Sequence, residues 1–153
     1  MNKIEDTGLR GIVVAGTKVS SVDGEKGELI YRGYDIRELA KYSTFEETAY
    51  LLLNGNLPTQ KELETFKEML ILQRQLPEEI IKNLQGRKKT ANPMDVLQSV
   101  APMIADFDDN TRSETKTANM EKSIALIAKM ATLVAYWDRI RKNLEIVEQN
   151  KDL

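Results

Sequence analysis

Side-chain oxygens at alternate positions are the first feature with chemical promise. Asp106-Phe107-Asp108-Asp109-Asn110 offers oxygens at the first, third and fifth positions of a loop, as a calcium-binding loop begins. The pattern then breaks. Thr111 stands where the sharp turn wants glycine, and Thr117 stands where a bidentate glutamate would close the shell, so a solvated connection between helices is the better reading. Lys129, set in an apolar stretch, is compatible with an amine of lowered pKa, but a Schiff-base lysine needs a cleft and partners; snorkelling or pairing with a carboxylate is the simpler reading. Glu46-Glu47 and Glu78-Glu79 fall in the first turns of expected helices, where negative charge is favoured anyway, and no acid and base pair is assigned to them.

Two residue types are missing altogether. With no cysteine the chain has no disulfide, thiolate nucleophile or sulfur-ligated zinc, which fits a cytoplasmic protein. With no histidine it has no imidazole base, Ser-His dyad or histidine metal ligand. The glycines Gly8, Gly11, Gly16, Gly24, Gly27 and Gly33 match neither dinucleotide nor P-loop spacing and serve turns. Tyr31, Tyr34 and Trp137 read as packing aromatics rather than stacking platforms. No residue is assigned as catalytic, cofactor-binding or metal-ligating. An independent small enzyme working with carboxylates and lysines alone would need such groups to converge in a cleft.

Composition points the same way. The 153 residues are 41% apolar and 30% charged, enough for one globular domain with a real core, expected over 1–153. A net charge of −2 argues against a surface that follows nucleic-acid phosphates. Arg87-Lys88-Lys89 follows Leu84-Gln85-Gly86 and reads as positive charge near a helix C-terminus, with an anion site as the alternative. Met1 to Leu9 has no apolar core of a secretory signal. The longest apolar run, Ile124 to Trp137, falls short of the roughly 20 residues a bilayer span needs. No membrane and no nucleic-acid partner is expected.

The elements that would position any site are mostly helical. Residues 12–34 carry the strand character, with Val13, Val14, Val19, Val22, Leu29, Ile30 and Tyr31 around the turn residues Asp23-Gly24 and Lys26-Gly27, a short β-hairpin. Helices are expected over 35–143, and 144–153 read as a polar tail. The first helix covers Asp35 to Lys41. Ser43 with Glu46 forms a capping box for a second that stops at Asn54-Gly55, and Thr59 with Glu62 repeats the signature for a third carrying Leu63, Phe66, Met69 and Leu70. Pro77 begins a fourth that ends at Gly86. Asn92-Pro93 opens a fifth, Met94 to about Phe107, bent at Pro102 because the bond back to the Gln98 carbonyl is missing. The last, about Thr117 to Asn143, is apolar on every side between Ile124 and Trp137, with a small-residue track at Ala125, Ala128, Ala131 and Ala135. Such a helix is expected to be buried between others and to need an outside partner.

The run Asp23-Gly24-Glu25-Lys26-Gly27-Glu28-Leu29-Ile30-Tyr31-Arg32-Gly33-Tyr34-Asp35-Ile36 resembles the start of a citrate synthase, whose N-terminal hairpin has the form "DG..G.L.YRGYDI". Further ordered matches to citrate and 2-methylcitrate synthases are Gly8-Leu9-Arg10-Gly11, Phe45-Glu46-Glu47 through Leu57-Pro58-Thr59, Asn92-Pro93-Met94-Asp95-Val96-Leu97 and Ile127 to Ala135. The resemblance implies a mainly α, multi-helical fragment from the N-terminal part of the family's large domain. In the family an aspartate and two histidines join acetyl-CoA or propionyl-CoA to oxaloacetate. Those residues lie beyond the matched motifs, so none carries over and no acyl-CoA is expected to bind this chain alone. Within the match, Asn92 stands where the family usually has histidine, and it still serves as a helix N-cap. Two readings follow. One is a front fragment or subunit giving scaffold and dimer surface, completed by a C-terminal citrate synthase chain; the other is a non-catalytic homodimeric binding or scaffold protein derived from the family.

Overall fold

The computed structural model describes residue 13 and residues 15–147. Ile12 and Val14 of the expected strand segment, the Gly8-Leu9-Arg10-Gly11 match and the end of the polar tail lie outside them. The chain divides into two compact units, one ending at Pro58 and the other starting at Thr59.

In the first unit the turn residues act as expected. The Asp23 carboxylate accepts the backbone N–H groups of Glu25 and Lys26, both at 3.1 Å, and Gly27 takes φ +65°, which folds β1 (Ser20–Asp23) back on β2 (Glu28–Tyr31). The pairing is antiparallel, with Ser20 opposite Tyr31 and Asp23 opposite Glu28. The hairpin then gains a third strand that the sequence pattern does not announce. Arg32 (φ 49°) and Gly33 (φ 94°) form a two-residue turn with both φ values positive, and β3 (Tyr34–Asp35) returns along β2.

Asp35 then caps α1 (Ile36–Tyr42), accepting the N–H of Arg37 at 2.8 Å. The capping box of α2 (Phe45–Asn54) sits one residue later than expected: Thr44, not Ser43, accepts the N–H of Glu47, whose carboxylate accepts the N–H of Thr44 at 2.7 Å. Ser43 is already engaged in closing α1, with its N–H on the Leu39 carbonyl at 2.9 Å. Gly55, at φ 96°, ends α2 in the left-handed cap conformation. Leu39 and Leu51 are the buried apolar residues among this unit's described ones.

The second unit is helical. Thr59 and Glu62 form the expected capping box of α3 (Gln60–Gln73), which buries Leu63, Phe66 and Leu70 but leaves Met69 38% exposed. After Pro77, α4 (Glu78–Gln85) buries Ile80 and Leu84, one turn apart. Asn92 caps α5 (Pro93–Val100) by accepting the Met94 N–H at 2.9 Å, with Pro93 in the first turn. The fifth helix does not bend and continue as expected. It ends at Val100 and tightens into a 3₁₀ segment, Ala101–Phe107, whose start contains Pro102. Without an N–H on Pro102 the α-helical ladder is broken at that point, and the shorter-range bonds of a 3₁₀ helix take over.

Thr115 caps α6 (Lys116–Arg141), 26 residues and, at about 1.5 Å each, roughly 40 Å long. The core forms where α4, α5 and the 3₁₀ segment meet its C-terminal half: Ile80, Leu84, Val96, Val100 and Ile104 pack in one cluster with Leu76, Leu133, Trp137 and Ile140. Trp137 is only 2% exposed, and its indole N–H meets no acceptor among the described residues. The expected all-round burial of α6 is corrected. Ile124, Ala128, Leu133 and Trp137 are buried, whereas Leu126 is 44% and Val134 50% exposed, with Ala131 and Ala135 open beside them.

Candidate functional site

The second unit holds a cleft of about 920 Å³ between the C-terminal end of α3, the 3₁₀ segment, the loop that follows it and the N-terminal half of α6. Leu76, Ile104 and Ala118 are buried in its floor, and Phe107 (46% exposed) and Leu126 (44%) stand in its lining. Asp108, Asp109, Glu121, Lys122 and Lys129 bring charge to it.

Both lysines are already committed. The Lys129 ammonium donates to the Gln73 backbone carbonyl at 2.7 Å and to its side-chain oxygen at 3.2 Å. Gln73 is the last residue of α3, so the cation sits against the negative end of that helix. Burial pushes the Lys129 amine below its ordinary 10.5. Of the two expectations, snorkelling or a carboxylate partner, the carboxylate is not what the amine meets: its partners are the main-chain and side-chain oxygens of Gln73. Lys122 donates to the carbonyls of Thr111 (3.2 Å) and Ser113, holding the loop between the 3₁₀ segment and α6.

Within the calcium-like run, Asp108 serves the loop itself. Asp108 Oδ1 accepts the N–H of Asn110 at 2.9 Å, and the Thr111 hydroxyl donates to the Ala105 carbonyl at 2.7 Å. Among the described residues no three His, Cys, Asp or Glu side chains stand together as metal ligands. The basic cluster becomes a set of ties: Arg87 donates to Asn83 Oδ1 (2.9 Å) and Ser99 Oγ (2.8 Å), and Lys89 donates to the Asn143 side chain just past α6. Of the paired carboxylates, Glu47 caps α2 and Glu78 pairs with Lys82 at 2.7 Å.

The residue that sequence reasoning passed over is Arg32. Its guanidinium reaches 20 positions along the chain and donates through Nε (3.3 Å) and an Nη (2.8 Å) to the Leu52 carbonyl in the last turn of α2. The signal was present in Tyr31-Arg32-Gly33-Tyr34, where a cation beside a turn glycine follows a strand.

These features define a mainly α protein: among the described residues, six α-helices, a 3₁₀ segment and a three-stranded sheet, with many polar groups spent on helix ends and loops. The family model described as "Citrate synthase, C-terminal domain" matches residues 8–153. The citrate synthase of Saccharolobus solfataricus is 41% identical over 128 residues, 84% of this chain and 33% of that protein. The 2-methylcitrate synthase of Shewanella oneidensis is 34% identical over 137 residues, covering 90% of this chain and 36% of that protein. The crystal structure of citrate synthase from Pyrobaculum aerophilum superposes with a TM-score of 0.88 at 34% identity, over 95% of this chain and 38% of that one. The chain belongs to the citrate synthase family, and it spans little more than a third of the length of these relatives. Among the described residues no helix is long and apolar enough to cross a membrane.

Proposed function

We propose that this chain is the architectural front part of a citrate synthase-like enzyme, supplying scaffold and subunit contact surface while the condensing residues come from other polypeptide. The observation that carries the reading is the pairing of a family match over residues 8–153 with the complete lack of histidine in all 153 residues. Stabilising the enol of an acyl-CoA and activating a keto acid at neutral pH need side chains that can donate a proton near that pH, and imidazole is the ordinary one. The apolar side of α6 at Leu126, Ala131, Val134 and Ala135 supports the same reading, because exposed apolar surface on a helix is a surface for a partner. By this reading the substrates, an acyl-CoA and oxaloacetate, are bound by the completed assembly and not by this chain alone, and the assembly works in the cytoplasm.

Coexpression with a polypeptide carrying the histidine-containing remainder of a citrate synthase tests it. CoA release from acetyl-CoA and oxaloacetate is expected from the pair and not from either part. Release of CoA by the homogeneous 153-residue chain would sink the proposal. The exposed side of α6 also favours a second reading, a homodimeric scaffold without activity. That reading expects a monodisperse dimer that binds no hydrophobic dye, where an incomplete enzyme part binds the dye and gains order from its complement.

A further inference from the structure

Asn54-Gly55 is the only Asn-Gly pair in the sequence, and it sits at the exposed C-terminal end of α2. We propose that Asn54 is a site of spontaneous deamidation whose rate is set by opening of the α2 C-cap. Glycine after asparagine leaves the main-chain nitrogen unshielded by any side chain. Once the Gly55 amide gives its proton to water, its nitrogen can bond to Asn54 Cγ. The Cγ–Nδ2 bond then breaks, the side-chain nitrogen leaves as ammonia with a proton from solvent, and a five-membered succinimide remains. Water opens that ring at either carbonyl, giving aspartate or isoaspartate at position 54.

The fold opposes each part of this step. The Gly55 N–H is held on the Leu51 carbonyl at 2.8 Å, which disfavours loss of its proton. The Asn54 side chain is held by its own Nδ2 donating to the Tyr50 carbonyl at 3.1 Å. The helical backbone of Asn54 turns the Gly55 nitrogen away from Cγ. Arg32 pins the Leu52 carbonyl in the same turn, and its guanidinium lies 4.0 Å from where a Cβ on Gly55 would be. Reaction therefore proceeds through the frayed state, and helix ends are where such local opening is least costly. The products do not restore the native end. Aspartate places negative charge at the negative pole of α2, and isoaspartate adds a main-chain methylene between Cα and the Gly55 nitrogen, which displaces the cap.

The test incubates the full chain in neutral buffer and in urea, following the one-dalton gain on the peptide holding Asn54 and Gly55 and confirming isoaspartate by enzymatic methylation. The native rate is expected to be about tenfold or more below the urea rate, as for a site reached by local opening. Arg32→Ala is expected to raise the native rate and leave the urea rate unchanged; if that variant does not fold, Arg32→Lys, which loses the two-nitrogen grip, is read the same way. Asn54→Gln removes the signal. Equal rates in buffer and urea, conversion in urea no faster than at Asn110, or a native rate indifferent to both Arg32 variants would each overturn the proposal.

Discussion

The unit ending at Pro58 and the unit starting at Thr59 are held by different forces. In the first, two leucines are buried among the described residues, and the order comes from directed hydrogen bonds: the Asp23 turn, the Arg32 grip on Leu52, the caps at Asp35 and Thr44, and the left-handed close at Gly55. In the second, nine buried residues form a continuous apolar cluster, and the polar ties lie around it. Polar geometry fixes where short elements turn; apolar area supplies the free energy that keeps long helices together.

The largest effect is expected in the second unit. Trp137→Ala removes the largest fully buried side chain and should cost about 3–5 kcal/mol, read from urea unfolding. Trp137→Phe should cost clearly less, since the phenyl ring refills much of the space and the indole N–H that both variants discard has no acceptor among the described residues. Equal losses from the two variants would mean that the ring refills none of the cavity.

Next comes Arg32→Ala, which leaves the Leu52 carbonyl without its charged donor and should cost about 1.5–3 kcal/mol. Arg32→Gly would relax the φ 49° backbone while losing the same bonds, so it should fall below the alanine variant's cost. Amide exchange in the last turn of α2 is the readout that separates this local loss from global unfolding.

Smaller still, Thr44→Ala should cost about 1 kcal/mol through the lost cap, while Ser43→Ala should be close to neutral. The reverse order would restore the one-residue-earlier capping box.

Least in size, the two units should both gain stability as pH rises, but in opposite windows, acid for the first and alkaline for the second. The backbone N–H of Lys26, aided by its side chain and by the Glu25 N–H, holds the Asp23 carboxyl below its ordinary 3.8. Its contribution is present above 3.8 and is lost as pH falls through the folded value, so the hairpin turn should loosen in acid. Burial holds the Lys129 amine below 10.5, so the unfolded chain binds the extra proton between the two values, and stability of the second unit should rise with pH across that window. Lys129→Met should flatten the alkaline response.

Much of this was legible in the sequence. The turn glycines, the Thr59 box, the Asn92-Pro93 start and the mainly α class all rest on local chemistry that a short window contains, and the ordered motifs pointed to the citrate synthase family. The Thr44 box was misplaced because Ser43-Thr44 faces Glu46-Glu47, giving two boxes of equal local merit; the choice is made by the end of α1, which uses Ser43. β3 was missed because a non-glycine residue with positive φ is uncommon, and Arg32 accepts that conformation while its side chain grips a distant helix end. Pro102 marked the right place but not the outcome, since a lost bond permits either a bend or a tighter helix. The pattern of α6 told how much apolar surface the helix carries and not how much of it this chain covers. The cleft lysines illustrate the same limit: each donates to main-chain carbonyls, which have no sequence signature.

The bond from Lys129 to the Gln73 carbonyl joins positions 56 residues apart. During synthesis the end of α3 must therefore wait for Lys129, 56 positions later, to follow it out of the ribosome, and this closure of the second unit comes only once much of α6 has been made.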